Sequence, residues 1–158
     1  MKLYHGTYID FDSIDLTKSN KGKDFGKGFY VSDNYEQAYN MAVFKSLQYK
    51  KEPIVLSYEF DENLLKNGEL SFLRFEEYSQ QWAEFILKNR TNDDDKNIHP
   101  YDVVYGPIAN DKVGVQIRNL MEHNIDLKIF LQRLQYMHGI TFQYFFGTEK
   151  AISKLVRI

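Results

Sequence analysis

The chain contains no cysteine, which excludes disulfides, thiol nucleophiles and sulfur-ligated zinc. Its three prolines and scarcity of low-complexity stretches argue against long disordered segments. No apolar run approaches the roughly 18 residues that a membrane-spanning helix needs. No basic segment leading into an apolar stretch and a small-residue cleavage site is visible near Met1. An excess of one charge is missing too. The formal net charge is -2, so nothing calls for nucleic acid or an acidic membrane as a partner. A soluble, cytoplasmic protein is the expectation.

At 158 residues, the length suits one domain over residues 1–158, large enough to bury about two-thirds of the unfolded surface. Twelve Tyr, twelve Phe and one Trp suffice for a core packed with rings, and any left outside it are platforms for a flat ligand.

Lys2 to Tyr4 reads as a short strand, Thr7 to Gly28 as a polar connection and Gly28 to Ser32 as a second strand. Asp33 is placed to cap a helix, with Glu36 positioned to return the bond. Tyr35, Ala38, Tyr39, Ala42, Val43 and Leu47 then predict that helix over 34–49. Ile54 to Phe60 alternates as a strand, and Leu70 to Phe75 is too short to assign. Tyr78, Trp82, Phe85 and Ile86 mark a helix to Asn89, and Arg90 to His99, with three successive aspartates, reads as a solvated loop. Tyr101 to Tyr105 is a strand closed by Gly106-Pro107. Val113, Ile117, Leu120 and Met121 form a helical stripe. Asp126 caps another helix running to His138 and ended by Gly139. Thr141 to Phe146 and Lys154 to Ile158 complete the strands. Strands and helices alternate irregularly and no strand pair reads as a βαβ unit. The expected class is α+β, with antiparallel sheets and helices inserted between strands.

Four of the glycines fall in the first 28 residues, which directs the search to phosphate loops. Gly22 to Gly26 encloses three residues where a P-loop needs four, and Gly28 follows Lys27 where Ser or Thr belongs. Gly26-Lys27-Gly28 lacks the third glycine of a dinucleotide fingerprint. Lys18, Lys21, Lys23 and Lys27 crowd this loop, either as a solvated surface or as a mobile cover over a phosphate-bearing ligand. His5, His99, His123 and His138 have no metal-ligand spacing, and no serine sits in a nucleophile elbow. Three residues remain. His5 is followed by Gly6, which lets backbone approach a ligand, and by the Thr7 hydroxyl. Tyr30 follows two glycines. Gln143 interrupts an apolar strand, where its amide either faces solvent or has a partner to satisfy it.

At these positions the chain resembles the ADP-ribosyltransferase superfamily, in its diphtheria-toxin and PARP-like His-Tyr-Glu branch. Tyr4-His5-Gly6-Thr7 is similar to the first motif, and Phe25-Gly26-Lys27-Gly28-Phe29-Tyr30-Val31-Ser32-Asp33 to the second. The third motif falls at Gln143, followed by Tyr144-Phe145-Phe146. More narrowly, the chain resembles a bacterial family of unknown function in that clan. Tyr101 to Asp111 and Gly147 to Ala151 are similar to its other blocks. Members of that family often lie beside small partners in toxin–antitoxin pairs.

The resemblance implies split antiparallel sheets with inserted helices, and NAD as substrate for mono-ADP-ribosylation of an unidentified macromolecule. It implies that His5 holds the nicotinamide-side ribose, the Gly6 backbone pairs with the carboxamide and Thr7 adds a hydroxyl contact. Tyr30 stacks on the nicotinamide ring, and Gln143 bonds the ribose 2′-hydroxyl as the glycosidic bond breaks. Gly28, Ala38 and Tyr39 are carried over as further NAD contacts. No metal is implied. A small antitoxin protein is an implied partner. Three departures stand out. Gln143 replaces the family's Glu, as in related toxins that hydrolyse NAD, and Thr141 replaces the acid or amide of the arginine-targeting motif. Met41 falls where a second stacking aromatic belongs, for which Tyr39 or Tyr35 could substitute. NAD glycohydrolysis, or silent binding of NAD or a partner, are the alternatives.

Overall fold

The computed structural model describes residues 1–158 as seven strands and six helices in an α+β arrangement. The strands are β1 (Lys2–Thr7), β2 (Phe29–Val31), β3 (Ile54–Glu59), β4 (Phe72–Arg74), β5 (Val103–Pro107), β6 (Phe142–Phe146) and β7 (Val156–Arg157). The helices are α1 (Tyr35–Tyr49), α2 (Asn63–Lys66), α3 (Gln80–Thr91), α4 (Asp111–Met121), α5 (Leu127–Leu134) and α6 (Glu149–Ile152). Two sheets form, ordered β1-β3-β7 and β2-β6-β5-β4.

Strand alternation decides the layering. In β1, Leu3 points into a core that also takes Leu56 and Tyr58 from β3 and Phe29, Val31, Tyr144 and Phe146 from the other sheet. That core fills the space between the sheets. The opposite face of β2-β6-β5-β4 presents Val104 and Phe145 to Trp82 and Ile86 of α3, Val113 and Ile117 of α4, and Phe130 of α5. The second core is therefore sheet against helices. On the far side of β1 lies α1, so close that a Cβ at Gly6 would sit 2.0 Å from the Ala38 carbonyl oxygen. Only glycine permits that approach.

Several sequence expectations need correction. The sheets are not wholly antiparallel: β4 and β5 pair in parallel with α3 between them, a βαβ unit. β4 has only three residues, too few to display a period. Asn34, not Asp33, caps α1, its side chain accepting from the Gln37 amide, and the Asn34 amide is in turn held by Ser32 Oγ at 2.9 Å. β5 runs through Gly106-Pro107 instead of stopping at Tyr105. α5 ends at Leu134, so Gly139, although its φ is 70°, serves a later turn. Asp126 does cap α5, accepting from Ile129 N at 2.8 Å. The one-turn helices α2 and α6 have no counterpart in the sequence reading.

Candidate functional site

The two sheets are joined main chain to main chain at one point. Tyr4 and Ser32 exchange both main-chain hydrogen bonds, at 2.7 and 2.8 Å, and this bridge is isolated. Beyond it β1 continues along β3 and β2 along β6, so the strands part where His5 and Gly6 face Tyr30. By strand alternation the Gly6 N–H and C=O point the same way as those of Tyr4, toward β2. β1 also extends to Thr7, so His5, Gly6 and Thr7 lie inside the strand, not after it.

His5 packs its ring on Phe29, with centroids 4.4 Å apart, and its Nδ1 lies 2.7 Å from the Tyr30 carbonyl oxygen. A carbonyl only accepts, so Nδ1 carries the proton and, in the neutral ring, Nε2 keeps a lone pair. Burial lowers the imidazole pKa to about 4, reinforced by the positive charge of Lys45 and, more weakly, Lys23. His5 is thus a neutral acceptor at neutral pH, with no bond to any carboxylate.

The Tyr30 ring is fixed at its far end. Its hydroxyl donates to the Gly26 carbonyl at 2.7 Å and accepts from Phe25 N at 3.1 Å. Burial pushes its pKa well up, so the phenol stays protonated and offers a ring, not a charge. Phe145 meets it edge-on at 5.3 Å, and the Lys23 ammonium lies 5.1 Å from the ring centroid.

The glycine loop is clasped by side chains from residues 90–99. Asn97 accepts from Lys27 N at 2.7 Å and donates to Lys27 O at 2.8 Å. His99 Nε2 lies 2.7 Å from Phe25 O, and Arg90 pairs with Asp24 at 2.7 Å. Lys21 and Lys27 pair with Asp93 and Asp95, so the aspartate run is the electrostatic partner of the lysine loop. Gly26, with φ 96°, supplies the left-handed turn that brings its carbonyl to Tyr30.

Gln143 pairs with Gly106 across β5, two residues before Phe145, which pairs with Tyr30. Tyr30 and Gln143 therefore share one sheet face as diagonal neighbours. Gln143 is partly buried. His5 reaches the main chain of Tyr30 and stacks on Phe29, whose side chain lies on the face opposite the Tyr30 ring and Gln143.

The remaining expected contacts are mostly redirected. The Thr7 hydroxyl accepts from Ile9 N at 3.1 Å and donates to Ile9 O, which commits it to a turn. A Cβ at Gly28 would lie 2.2 Å from the Phe145 ring, so this glycine serves packing. Ala38 is buried beneath β1. On α1, Gln37 donates to Phe142 O at 2.8 Å and Lys45 to Gly6 O at 2.8 Å, which marks the helix flank facing the junction. Met41 lies on that flank between them. Tyr39, two residues from both Gln37 and Met41, points to the opposite flank and stacks on Tyr35. Tyr35 and Tyr39 thus lie together, away from the flank that carries Met41.

Lys45 was not singled out in the sequence, because one lysine on a helix of mixed composition carries no signal. Asn97 carries no signal and His99 none beyond its lack of metal-ligand spacing, because their targets are main-chain atoms 70 and 74 residues away. Two surface hollows of about 670 and 730 Å³ lie elsewhere, beside Met1 and Phe60 and beside the start of α4. No helix is long and apolar enough to cross a membrane.

No curated protein and no solved structure matches the chain significantly. A family model described as a protein of unknown function, DUF3990, matches residues 1–156. With this match spanning both sheets and the β1–β2 junction, the chain belongs to the DUF3990 family.

Proposed function

We propose that this protein binds NAD where β1 and β2 part, breaks its nicotinamide–ribose bond and transfers ADP-ribose to a macromolecule. The observation that carries the proposal is the neutral His5, held by the Tyr30 carbonyl with its Nε2 lone pair unused. That lone pair suits a ribose hydroxyl. The Gly6 main chain faces the same gap for the carboxamide, and Tyr30 supplies a fixed, uncharged ring for nicotinamide.

As the C1′–N bond breaks, its electron pair passes to the pyridinium nitrogen and nicotinamide leaves as a neutral molecule. The ribose gains oxocarbenium character, as in glycoside hydrolysis. The Gln143 carbonyl oxygen accepts from the 2′-hydroxyl, and an acceptor heteroatom attacks C1′ and releases its proton to solvent. Rate comes from positioning and fixed dipoles.

The test is purified protein with adenylate-labelled NAD and cell extract. Label entering protein or nucleic acid with release of nicotinamide is expected; neither appearing defeats the proposal. A second reading is favoured by the uncharged Gln143, which supports the ribosyl cation less than a carboxylate. In that case water is the acceptor, and free ADP-ribose forms in the absence of extract. If the protein is the toxin of a toxin–antitoxin pair, expression in bacteria arrests growth and His5→Ala relieves it.

A further inference from the structure

We propose that Lys23 and Lys45 form an anion subsite beside His5 that takes the diphosphate of a nucleotide ligand. The naming of the anion rests on the NAD reading above. Its location rests on side chains alone.

The two ammonium groups come from different elements, Lys23 from the clasped loop and Lys45 from α1. Lys45 is partly buried and spends one proton on the Gly6 carbonyl, leaving two donors. Lys23 reaches Ser19 Oγ at 3.4 Å and lies over the Tyr30 ring. Neither forms an ion pair, unlike Lys21 and Lys27 of the same loop.

Acids on the neighbouring segments are already engaged. Asp24 pairs with Arg90 at 2.7 Å, and Asp10 and Asp12 pair with Arg157 at 2.6 and 3.4 Å. Asp15 bonds Thr17. Lys23 at the Tyr30 ring and Lys45 at the Gly6 carbonyl therefore stand without a carboxylate partner on the two strands that part at the junction. Burial, aided by Lys23, lowers the Lys45 ammonium to about 8, while burial lowers Lys23.

Two cations at one site, Lys45 partly buried and Lys23 exposed and able to swing, favour a dianionic group and disfavour another cation. That assigns a polarity to the site. Phosphates belong against the lysines, and a positively charged pyridinium can lie on Tyr30 only once the Lys23 ammonium has left that ring. Lys23 then has one place to gain, the phosphates.

The test is calorimetric titration of the full chain with inorganic pyrophosphate at low salt, for wild type, Lys23→Met, Lys45→Met and the Arg variants at both positions. Thermal melting confirms folding. Binding by wild type, weakened at least about tenfold in each Met variant and retained in the Arg variants, supports the subsite. No binding by wild type, or equal binding by all variants, overturns it. Parallel assays of NAD turnover separate the two proposals. Lysine-dependent pyrophosphate binding without turnover keeps the subsite and removes the NAD reading. Turnover with an unchanged KM in both Met variants keeps the NAD reading and removes the subsite.

Discussion

Adding a proton to His5 places a third positive charge beside Lys23 and Lys45, away from water. The folded-state pKa, about 4, lies below the unfolded value near 6.5. Between those values the unfolded chain binds a proton that the folded chain refuses, so acid favours unfolding. The stabilisation is complete above pH 6.5 and is lost as the pH falls toward 4, by about 3 kcal/mol at most. Urea midpoints at pH 7 and pH 4.5 check this, and His5→Gln is expected to shrink the difference between them. The difference does not vanish, because burial also lowers His99. At the opposite side of the junction, Tyr30→Phe strands the Gly26 carbonyl and Phe25 amide, costing about 1–3 kcal/mol by thermal melting. The sequence singles out His5 because Gly6 follows it, and Tyr30 because Gly26 and Gly28 precede it. It does not single out Lys45, because its partner is a carbonyl and no residue pattern encodes that.

The elements that matter are those held at close range. α1 rests on β1 through the absent side chain of Gly6, so Gly6→Ala drives a methyl into the Ala38 and Ala42 backbone. The expected loss is at least about 2–3 kcal/mol, with α1 displaced and Lys45 drawn away from Gly6. A lower melting temperature checks the first claim. The loop over residues 24–28 depends on a side chain far along the chain. Asn97→Ala removes both bonds to Lys27, and is expected to cost about 1–2 kcal/mol and to speed proteolysis after Lys23 or Lys27. The periodic elements were legible: α1 and β3 fall within a residue or so of expectation. The βαβ unit was not, since strand direction depends on where α3 returns the chain and three residues of β4 reveal neither. The aspartate run reads as solvated loop, and the lysines as solvated surface or as a cover over a phosphate-bearing ligand. Their mutual pairing is tertiary information.

At the scale of the whole molecule, α1, the three-stranded sheet, the four-stranded sheet and helices α3, α4 and α5 stack in order around two apolar cores. β6 serves both cores, with Tyr144 and Phe146 on one side and Phe145 on the other, and Gln143 is its one polar departure. The α+β class was legible from the irregular order of strands and helices. That two sheets meet at one bridge and then part was not legible, because Tyr4 and Ser32 carry no pairing signal. The proposed function makes use of the His5 imidazole and the Gly6 main chain at that junction. The most direct measurement is release of nicotinamide from NAD by the purified chain, with His5→Ala beside it. Release by the wild type, reduced at least about a hundredfold in a folded His5→Ala, is the predicted result. No release by the wild type, with or without cell extract, would contradict the account.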